Sequence, residues 1–265
     1  MNLDYSKIAK YISTARLEKY NFVCKEDKQK VIKLYQTNLR LSQSFYSLLS
    51  LFEVILRNAL NEEFTTSFKD PDWLKNQLTG FMTHPSLCYK DKRTGKLRQN
   101  DFLKNSVEKT IRDLGSAATH GKIIADLKFG FWTALFDNTH YKILAGRPIK
   151  IFSKLPKGAN RNLINNKLIM IREFRNRIYH YEPVIFEKDS SGNIIFSTKQ
   201  TELIYKDIQD FFIWLDIDFE AWTKKINNIP FEIKRANTMF KMYPAYKYYF
   251  HRILLGLKYY KQKYF

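Results

Sequence analysis

The pattern of apolar positions predicts that most of the chain is helical. Residues 45–60 are almost uninterrupted apolar sequence without glycine or proline. We expect them to form the middle of a central helix, residues 37–64, that is buried on most of its surface. Residues 5–19 and 27–34 have amphipathic spacing and predict shorter helices that cover the central one. The N-terminal part, residues 1–64, should therefore be a set of packed helices.

Helical spacing returns further along the chain. Residues 101–114 and 122–135 predict two helices, and residues from about 162 to 180 predict a longer amphipathic one. The longer helix should end near His180, because Pro183 disfavours the helical conformation in the residue before it.

Two segments interrupt the helical pattern. Residues 89–99 are charged and lack apolar periodicity, which predicts an exposed basic loop or short hairpin within an insert or loop region, residues 65–125. Two β-favouring runs, 184–186 and 194–196, flank a Ser-Ser-Gly-Asn turn and predict a β-hairpin. The predicted fold class is therefore all-α, a helical bundle with additional helices and one small β-hairpin near 184–196.

The C-terminal part, residues 201–265, is again predicted to be helical and is strongly basic towards its end. No Gly/Ser-rich or Pro-rich linker separates it from the rest of the chain. We therefore expect a single domain over residues 1–265.

The balance of charge favours a polyanionic partner. The chain carries 45 Lys and Arg against 26 Asp and Glu, a formal net charge of +19, which is typical of proteins that bind nucleic acid. A lysine-rich composition can also serve solubility alone. The two cysteines lack the spacing of a zinc or redox site, and no stretch reaches the length of a membrane span. We expect a cytoplasmic protein without cofactor, metal or membrane partner.

One arginine stands out on the predicted helix 162–180. The apolar positions of that helix fall at spacings of four, three and seven, at Ile164, Leu168, Ile171 and Ile178. Arg175 completes this inward stripe, where an apolar side chain belongs. A guanidinium at such a position needs an anionic partner or a polar cleft.

The end of the same helix concentrates polar chemistry on one face. At 100° per residue, one side of the helix carries Arg172, Arg175, Asn176, Tyr179 and His180. Such a set can cleave RNA without a metal, since the 2′-hydroxyl is a nucleophile that needs only a base, a charge stabiliser and a leaving-group acid. Imidazole, whose ordinary pKa is roughly 6.5, suits the proton transfers.

Each residue of this set has an expected role, and Arg172 and Tyr179 are expected to bind RNA or to support the site. Arg175 would hold the scissile phosphate and stabilise the phosphorane charge, and Asn176 would orient the imidazole of His180 or the phosphate. One histidine cannot conveniently serve both sides of the phosphorus, so we expect a homodimer that joins two copies into one cleft. The alternative is structural: Arg175 pairs with a buried acid, and His180 caps the helix C-terminus.

A second candidate group lies in the apolar segment of the central helix. Glu53 and Arg57 are four residues apart and are followed by Asn58. Opposite charges at that spacing most often form a structural salt bridge. If the three residues serve the function, we expect them to support the cleft from behind the residues that contact RNA.

The C-terminal run, residues 224–265, interleaves basic and aromatic side chains, with Lys247 and Arg252 among them. Aromatic rings beside cations suit single-stranded RNA. A helix with a tyrosine-rich core face and a solvated basic face explains the run equally well. The histidines His84, His120, His140 and His251 have no ligand-like spacing, so we expect surface or core roles for them.

Three segments carry a resemblance to a known family. The sequence REFRNRIYHYEP, residues 172–183, resembles the signature of the Abi-like abortive-infection proteins of the F and D types, which belong to the HEPN superfamily. The sequences SLLSLFEVILRNAL, residues 47–60, and LKFGFWTALF, residues 127–136, are similar to two further conserved blocks of that family. The resemblance covers most of the chain.

The resemblance implies a HEPN-type helical fold, dimerisation, and a metal-independent RNase that arrests growth when phage infect, or that acts within a toxin–antitoxin system. It assigns the R-x4-H catalytic pair to Arg175 and His180, with Asn176 as the polar residue after the arginine. It also implies that a small structured RNA can act as antitoxin. The alternative hypothesis is a non-catalytic RNA-binding sensor of the same family, bound to such an RNA.

Overall fold

The computed structural model describes residues 4–243 and 246–264, with the backbone alone for 246–252 and 264. Within these residues the protein is mostly helical, which confirms the all-α class. The helices are α1 (Tyr5–Ile12), α2 (Thr14–Val23), α3 (Lys28–Phe68), α4 (Trp73–Asn76), α5 (Phe102–Leu114), α6 (His120–Asp126), α7 (Phe129–Ala134), α8 (Asn138–Ile143), α9 (Arg161–Tyr179), α10 (Lys199–Trp214), α11 (Phe219–Thr223), α12 (Ile229–Met242) and α13 (Tyr246–Tyr264). None of them combines the length and the apolar character needed to cross a bilayer.

Two antiparallel hairpins accompany these helices. Strand β1 (Cys88–Lys90) pairs with β2 (Leu97–Gln99), and β3 (Phe186–Lys188) pairs with β4 (Ile194–Phe196). The second hairpin confirms the prediction near 184–196. The first hairpin includes the basic segment 89–99. The described residues therefore contain two hairpins, whereas one was predicted for the fold.

Helix α3 is longer than predicted. The two helices expected at 27–34 and 37–64 form one helix of 41 residues. Its burial also differs from the prediction, because the side chains alternate between core and surface: Phe45 and Phe52 are fully buried, whereas Tyr46 is 56% exposed. The apolar run is therefore an amphipathic helix with aromatic residues on both faces.

The helix predicted over residues 5–19 is divided at Ser13. The backbone of Ser13 has a φ of 80°, a left-handed conformation that ends α1. The Ser13 hydroxyl then accepts a hydrogen bond of 3.3 Å from the Arg16 N–H and caps the start of α2. A serine that caps the second helix thus separates two short helices where periodicity alone indicated one.

The chain divides into two compact units. The first contains residues 1–50, 173–209 and 218–265, and the second contains residues 51–172 and 210–217. The expectation of a single domain stays a prediction, because a compact unit can be either a domain or a lobe of one.

The first unit is organised around the segment that follows α9. The Val184 N–H donates to the Asn38 side-chain oxygen at 2.8 Å, and the Val184 carbonyl accepts from the Thr201 hydroxyl at 3.0 Å. These bonds hold Val184 in the core, so strand β3 begins at Phe186, two residues after the predicted start. The Phe186 ring meets the edge of the Tyr20 ring with 4.9 Å between centroids.

The second unit has its own aromatic core. The ring of Phe52 lies 6.0 Å from that of Phe129 and 5.2 Å from that of Phe211. The predicted insert region, residues 65–125, contributes helices α4 and α5, most of α6 and the hairpin β1–β2 to this unit, so it is largely regular structure. Asp91 closes that hairpin: bonds from the Thr94 backbone and hydroxyl, and from the Arg93 N–H, lower the pKa of its carboxyl.

Truncation of Phe52 tests this core. We expect Phe52→Ala to lower the free energy of unfolding by about 3–5 kcal/mol, because it removes a fully buried ring and leaves a cavity. Val54→Ala is the control, since Val54 is 37% exposed on the same helix and its truncation should cost less than about 1 kcal/mol. Urea denaturation measures both. Equal losses in the two variants would contradict the assigned core.

Candidate functional site

The predicted motif helix is α9, and Phe174 occupies its buried face near the C-terminal end. Phe174 is fully buried, and its ring meets the edge of the Phe45 ring with 4.9 Å between centroids. Arg175 is half-buried beside it, so the prediction that Arg175 itself fills the inward stripe was wrong. The apolar ring of Phe174 takes the core position, and the arginine is displaced by about 100° around the helix.

The guanidinium of Arg175 lies over an aromatic ring on the surface. Its central carbon is 4.3 Å from the centroid of the Tyr179 ring, one turn further along the helix. Such a cation–π contact restricts the arginine without neutralising its charge. The half-buried Arg175 is therefore partly oriented by the ring of Tyr179.

The C-terminus of α9 has the hydrogen bonds of a Schellman motif. The Glu182 N–H donates to the Arg177 carbonyl at 2.8 Å, and the Tyr181 N–H donates to the Ile178 carbonyl at 3.0 Å. Tyr181 takes the left-handed position with a φ of 57°. His180 is the C-cap residue immediately before Tyr181. It is exposed to solvent, and its backbone is held by the hydrogen bonds of the helix end.

Arg177 holds the chain reversal that follows. Its guanidinium donates to the Pro183 carbonyl and, at 2.6 Å, to the Gln200 side-chain oxygen, and it lies 4.0 Å from the Glu182 carboxylate. The Arg16 guanidinium adds a bond of 2.8 Å to the Tyr181 carbonyl. Sequence reasoning missed both arginines, because the sequence pattern does not indicate which carbonyls they meet.

Four of the predicted residues come together at this end of α9. Asn176 and His180 are exposed on the same side of the helix, and the His180 N–H donates to the Asn176 carbonyl at 2.9 Å. Tyr179 and the half-buried Arg175 lie beside them. The terminus therefore presents a cation, an amide, a phenol and an imidazole within about one and a half helical turns.

Arg172 is engaged elsewhere. Its guanidinium donates to the Thr133 hydroxyl at 3.0 Å within the second unit. Burial raises the pKa of the nearby Asp137 carboxyl, and the positive charges of His140, Arg172 and Arg161 partly offset that rise. Arg172 is thus tied to the end of α7, and its predicted role in binding RNA or in supporting the site stays a prediction.

The second candidate group, residues 53, 57 and 58, lies in the second unit. Arg57 donates to the Asn58 side-chain oxygen at 3.4 Å and to the Ala125 carbonyl at 3.3 Å, and so ties α3 to α6. The bonds that Arg57 makes to described residues thus go to Asn58 and Ala125, whereas a salt bridge to Glu53 was predicted. Glu53 is half-buried and Asn58 is exposed. A supporting role for the three in a cleft stays a prediction.

The histidines outside the motif have distinct environments. His84 is exposed, and its Nδ1 accepts from the Ser86 N–H at 3.1 Å. Burial lowers the pKa of both His120 and His140. His251 lies outside the side chains that the structure describes. Across the described residues, no three His, Cys, Asp or Glu side chains gather as a metal site.

A polar cavity adjoins the motif face in the first unit. The Tyr46 ring lies 6.1 Å from the Tyr179 ring, and Tyr46 also borders a cavity of about 520 Å³ between α3 and the segment 226–235. Sequence reasoning missed this cavity, because Tyr46 stands within an apolar run that indicated burial.

The basic C-terminal run forms part of a further cavity in the same unit. This cavity of about 390 Å³ has lysines and aromatic rings together in its wall, among them Lys224, Lys234, Lys258, Phe231 and Tyr259. Tyr259 packs on Phe231 with 4.7 Å between centroids, so part of the aromatic content of the run packs within the protein. The binding of single-stranded RNA by this run stays a prediction. Lys247 and Arg252 lie outside the described side chains.

Comparison with known proteins adds no relative to this description: no family model, no curated protein and no solved structure matches the chain. The resemblance to the Abi-like proteins stays a prediction.

The left-handed residue at the end of α9 gives a direct test of the capping geometry. We expect Tyr181→Gly to raise the free energy of unfolding by about 1 kcal/mol, because glycine adopts a positive φ without the cost that a side chain carries. Little packing is lost, since Tyr181 is 73% exposed. Tyr89→Gly, at an exposed strand position, is the control and should destabilise. A loss of stability in Tyr181→Gly, measured by urea denaturation, would contradict the Schellman geometry.

Proposed function

We propose that this protein is a metal-independent endoribonuclease of the Abi-like, HEPN type, acting in the bacterial cytoplasm as the toxin of an abortive-infection or toxin–antitoxin system. The observation that carries the proposal is the capped end of α9, where Arg175, Asn176 and the exposed His180 lie within about one and a half turns. The sequence resemblance and the net charge of +19 add support.

The reaction needs two proton transfers and one anionic transition state. The imidazole of His180 removes the proton of the 2′-hydroxyl, and the 2′-oxygen attacks phosphorus. The bond from phosphorus to the 5′-oxygen breaks, and a protonated imidazole gives that oxygen its proton. The products are a 2′,3′-cyclic phosphate and a 5′-hydroxyl.

Arg175 supplies the charge in this scheme. Its planar guanidinium matches two non-bridging phosphate oxygens, and it stabilises the additional negative charge of the phosphorane. The ring of Tyr179 packs against the guanidinium and restricts its position. Asn176, one residue further and exposed, can donate to the phosphate or orient the imidazole.

The base and the acid must act on opposite sides of the phosphorus. A twofold dimer that brings together two copies of the α9 terminus would supply His180 from each protomer. The exposed position of His180, directly after the last residue of α9, suits such a composite site.

A second function draws on the surface beside the motif. Tyr46 and Tyr179 are exposed aromatic rings, and the cavity that Tyr46 borders is lined by Arg40 and Arg235. A further cavity of the same unit is lined by lysines. These features serve the binding of single-stranded RNA without any cleavage. A non-catalytic sensor that holds a small structured RNA is therefore the alternative, and cleavage distinguishes the two.

Cleavage of total bacterial RNA in excess EDTA tests the enzyme and its site together. We expect fragments from the wild type and at least about a hundredfold slower cleavage in Arg175→Ala and His180→Ala, since each removes a group on which the transition state depends. Arg112→Ala and His84→Ala are the matched controls, because both side chains are exposed and lie outside the motif. RNA that the wild type binds but leaves intact would favour the sensor.

Mixing of protomers tests the composite cleft. If His180 of both protomers is required, re-equilibrating the wild type with an excess of His180→Ala should reduce the activity per wild-type chain in proportion to the wild-type fraction. The same mixture with His84→Ala should lose no activity. Sedimentation analysis gives the oligomeric state under the same conditions. Unchanged activity per wild-type chain in a confirmed dimer would contradict the shared site.

A further inference from the structure

The cavity beside Tyr46 contains a buried acid. The cavity of about 520 Å³ is lined on one side by α3, with Arg40, Gln43 and Tyr46, and on the other by Asn228, Glu232 and Arg235 around the start of α12. Glu232 is only 7% exposed. A buried acid among the residues that line this cavity favours a ligand with hydrogen-bond donors over a bare phosphate.

The two carboxylate oxygens of Glu232 differ in their surroundings. Oε1 accepts a hydrogen bond from the Arg235 guanidinium at 3.2 Å. Oε2 is buried and has no hydrogen-bond partner among the residues that the structure describes. A buried carboxylate oxygen without a donor is unfavourable. A ligand that brings N–H groups into the cavity would satisfy it once a small rotation of the carboxyl group turns Oε2, which has almost no accessible surface, towards the cavity.

Among the nucleobases, guanine matches a carboxylate best. Its Watson–Crick edge presents the N1–H and N2–H donors side by side, so both carboxylate oxygens can accept at once. Adenine and cytosine place a ring-nitrogen acceptor next to their amino group, and uracil places its single N–H between two carbonyls, which the carboxylate would repel. The amides of Gln43 and Asn228, on the two sides of the cavity, offer donors for the guanine O6 and N7.

The cavity also lies at a suitable distance from the motif. The Tyr179 ring is 4.3 Å from the Arg175 guanidinium carbon and 6.1 Å from the Tyr46 ring, so Tyr46 is no more than about 10.4 Å from Arg175. A base stacked on Tyr46 would therefore belong to a nucleotide next to the phosphate held by Arg175. Aromatic stacking of this kind is common for unpaired RNA bases.

We propose that the cavity formed by Tyr46, Glu232 and Arg235 binds a guanine base of single-stranded RNA, and that it selects the nucleotide next to the phosphate at Arg175. This proposal rests on the proposed RNA-directed function and names its specificity. Arg235 holds the Glu232 carboxylate in place, Glu232 reads the guanine N–H groups, and Tyr46 stacks on the base.

Replacement of guanosine by inosine tests the proposal, because inosine lacks only the N2 amino group. Uridine hexamers with one central guanosine, inosine, adenosine or cytidine, 2′-O-methylated throughout to prevent cleavage, are titrated with the full chain by fluorescence anisotropy. We expect the wild type to bind the guanosine strand about tenfold more tightly than the inosine strand, the size of one hydrogen bond to a charged group. The adenosine and cytidine strands should bind no better than the inosine strand.

Two variants with the same change of charge separate the site from general electrostatics. Glu232→Gln should bring the affinity ratio of guanosine to inosine close to one, because the amide cannot accept two N–H bonds. Glu18→Gln is the control: Glu18 is exposed on α2, and its loss should leave the ratio unchanged. A preference that persists in Glu232→Gln would overturn the role of Glu232.

Two further outcomes distinguish a failure of the guanine site from a failure of the proposed RNA-directed function. If the wild type binds all four strands equally, with affinity that falls steeply as salt rises, the base pocket is wrong while RNA binding stands. If the wild type binds none of them, both proposals fail. The comparison of guanosine with inosine needs no variant, so it remains decisive even if Glu232→Gln does not fold.

Discussion

The hydrogen bonds of Arg177 are the constraint on which the candidate site depends. Its guanidinium joins the end of α9 to Pro183 and to Gln200 on α10, and its own carbonyl accepts the closing bond of the Schellman motif. The chain therefore turns directly after His180, and the helix terminus stays at the surface. The residues that stabilise this turn are distinct from those proposed for chemistry, so the proposed catalytic residues can remain exposed without loss of structure.

The sequence predicts where helices lie better than where they are divided, as α1, α2 and α3 show, and it predicts single side-chain environments poorly. The end of α9 near His180 follows from Pro183, and the hairpin near 184–196 follows from its turn residues. The left-handed Tyr181 was not predictable, since the residue expected there is glycine. The exposure of Tyr46 was also not predictable. Within an apolar run, the sequence does not indicate that Phe45 occupies the core while its neighbour Tyr46 faces solvent.

The same limit applies to the charged residues of the candidate site. Helical spacing places Arg172 and Arg175 on one face, yet Arg172 bonds to Thr133 and Arg175 lies over Tyr179. The spacing of residues gives the direction in which a side chain leaves the helix. Its bonding partner depends on which other segments of the chain pack against that side. The polar cavity around Glu232 illustrates this further, since its walls come from segments about 190 residues apart in sequence. No local pattern could have indicated it.

The central claim is that a 2′-hydroxyl of the RNA, activated by groups at the α9 terminus, is the nucleophile. A defined RNA that the wild type cleaves at one position, remade with a single 2′-deoxy nucleotide on the 5′ side of the cut, tests it most directly. We expect cleavage at that position to stop in the substituted RNA. The unmodified RNA should yield a 2′,3′-cyclic phosphate, which mass spectrometry detects. Continued cleavage of the substituted RNA at that position, with a 3′-hydroxyl on the product, would contradict it.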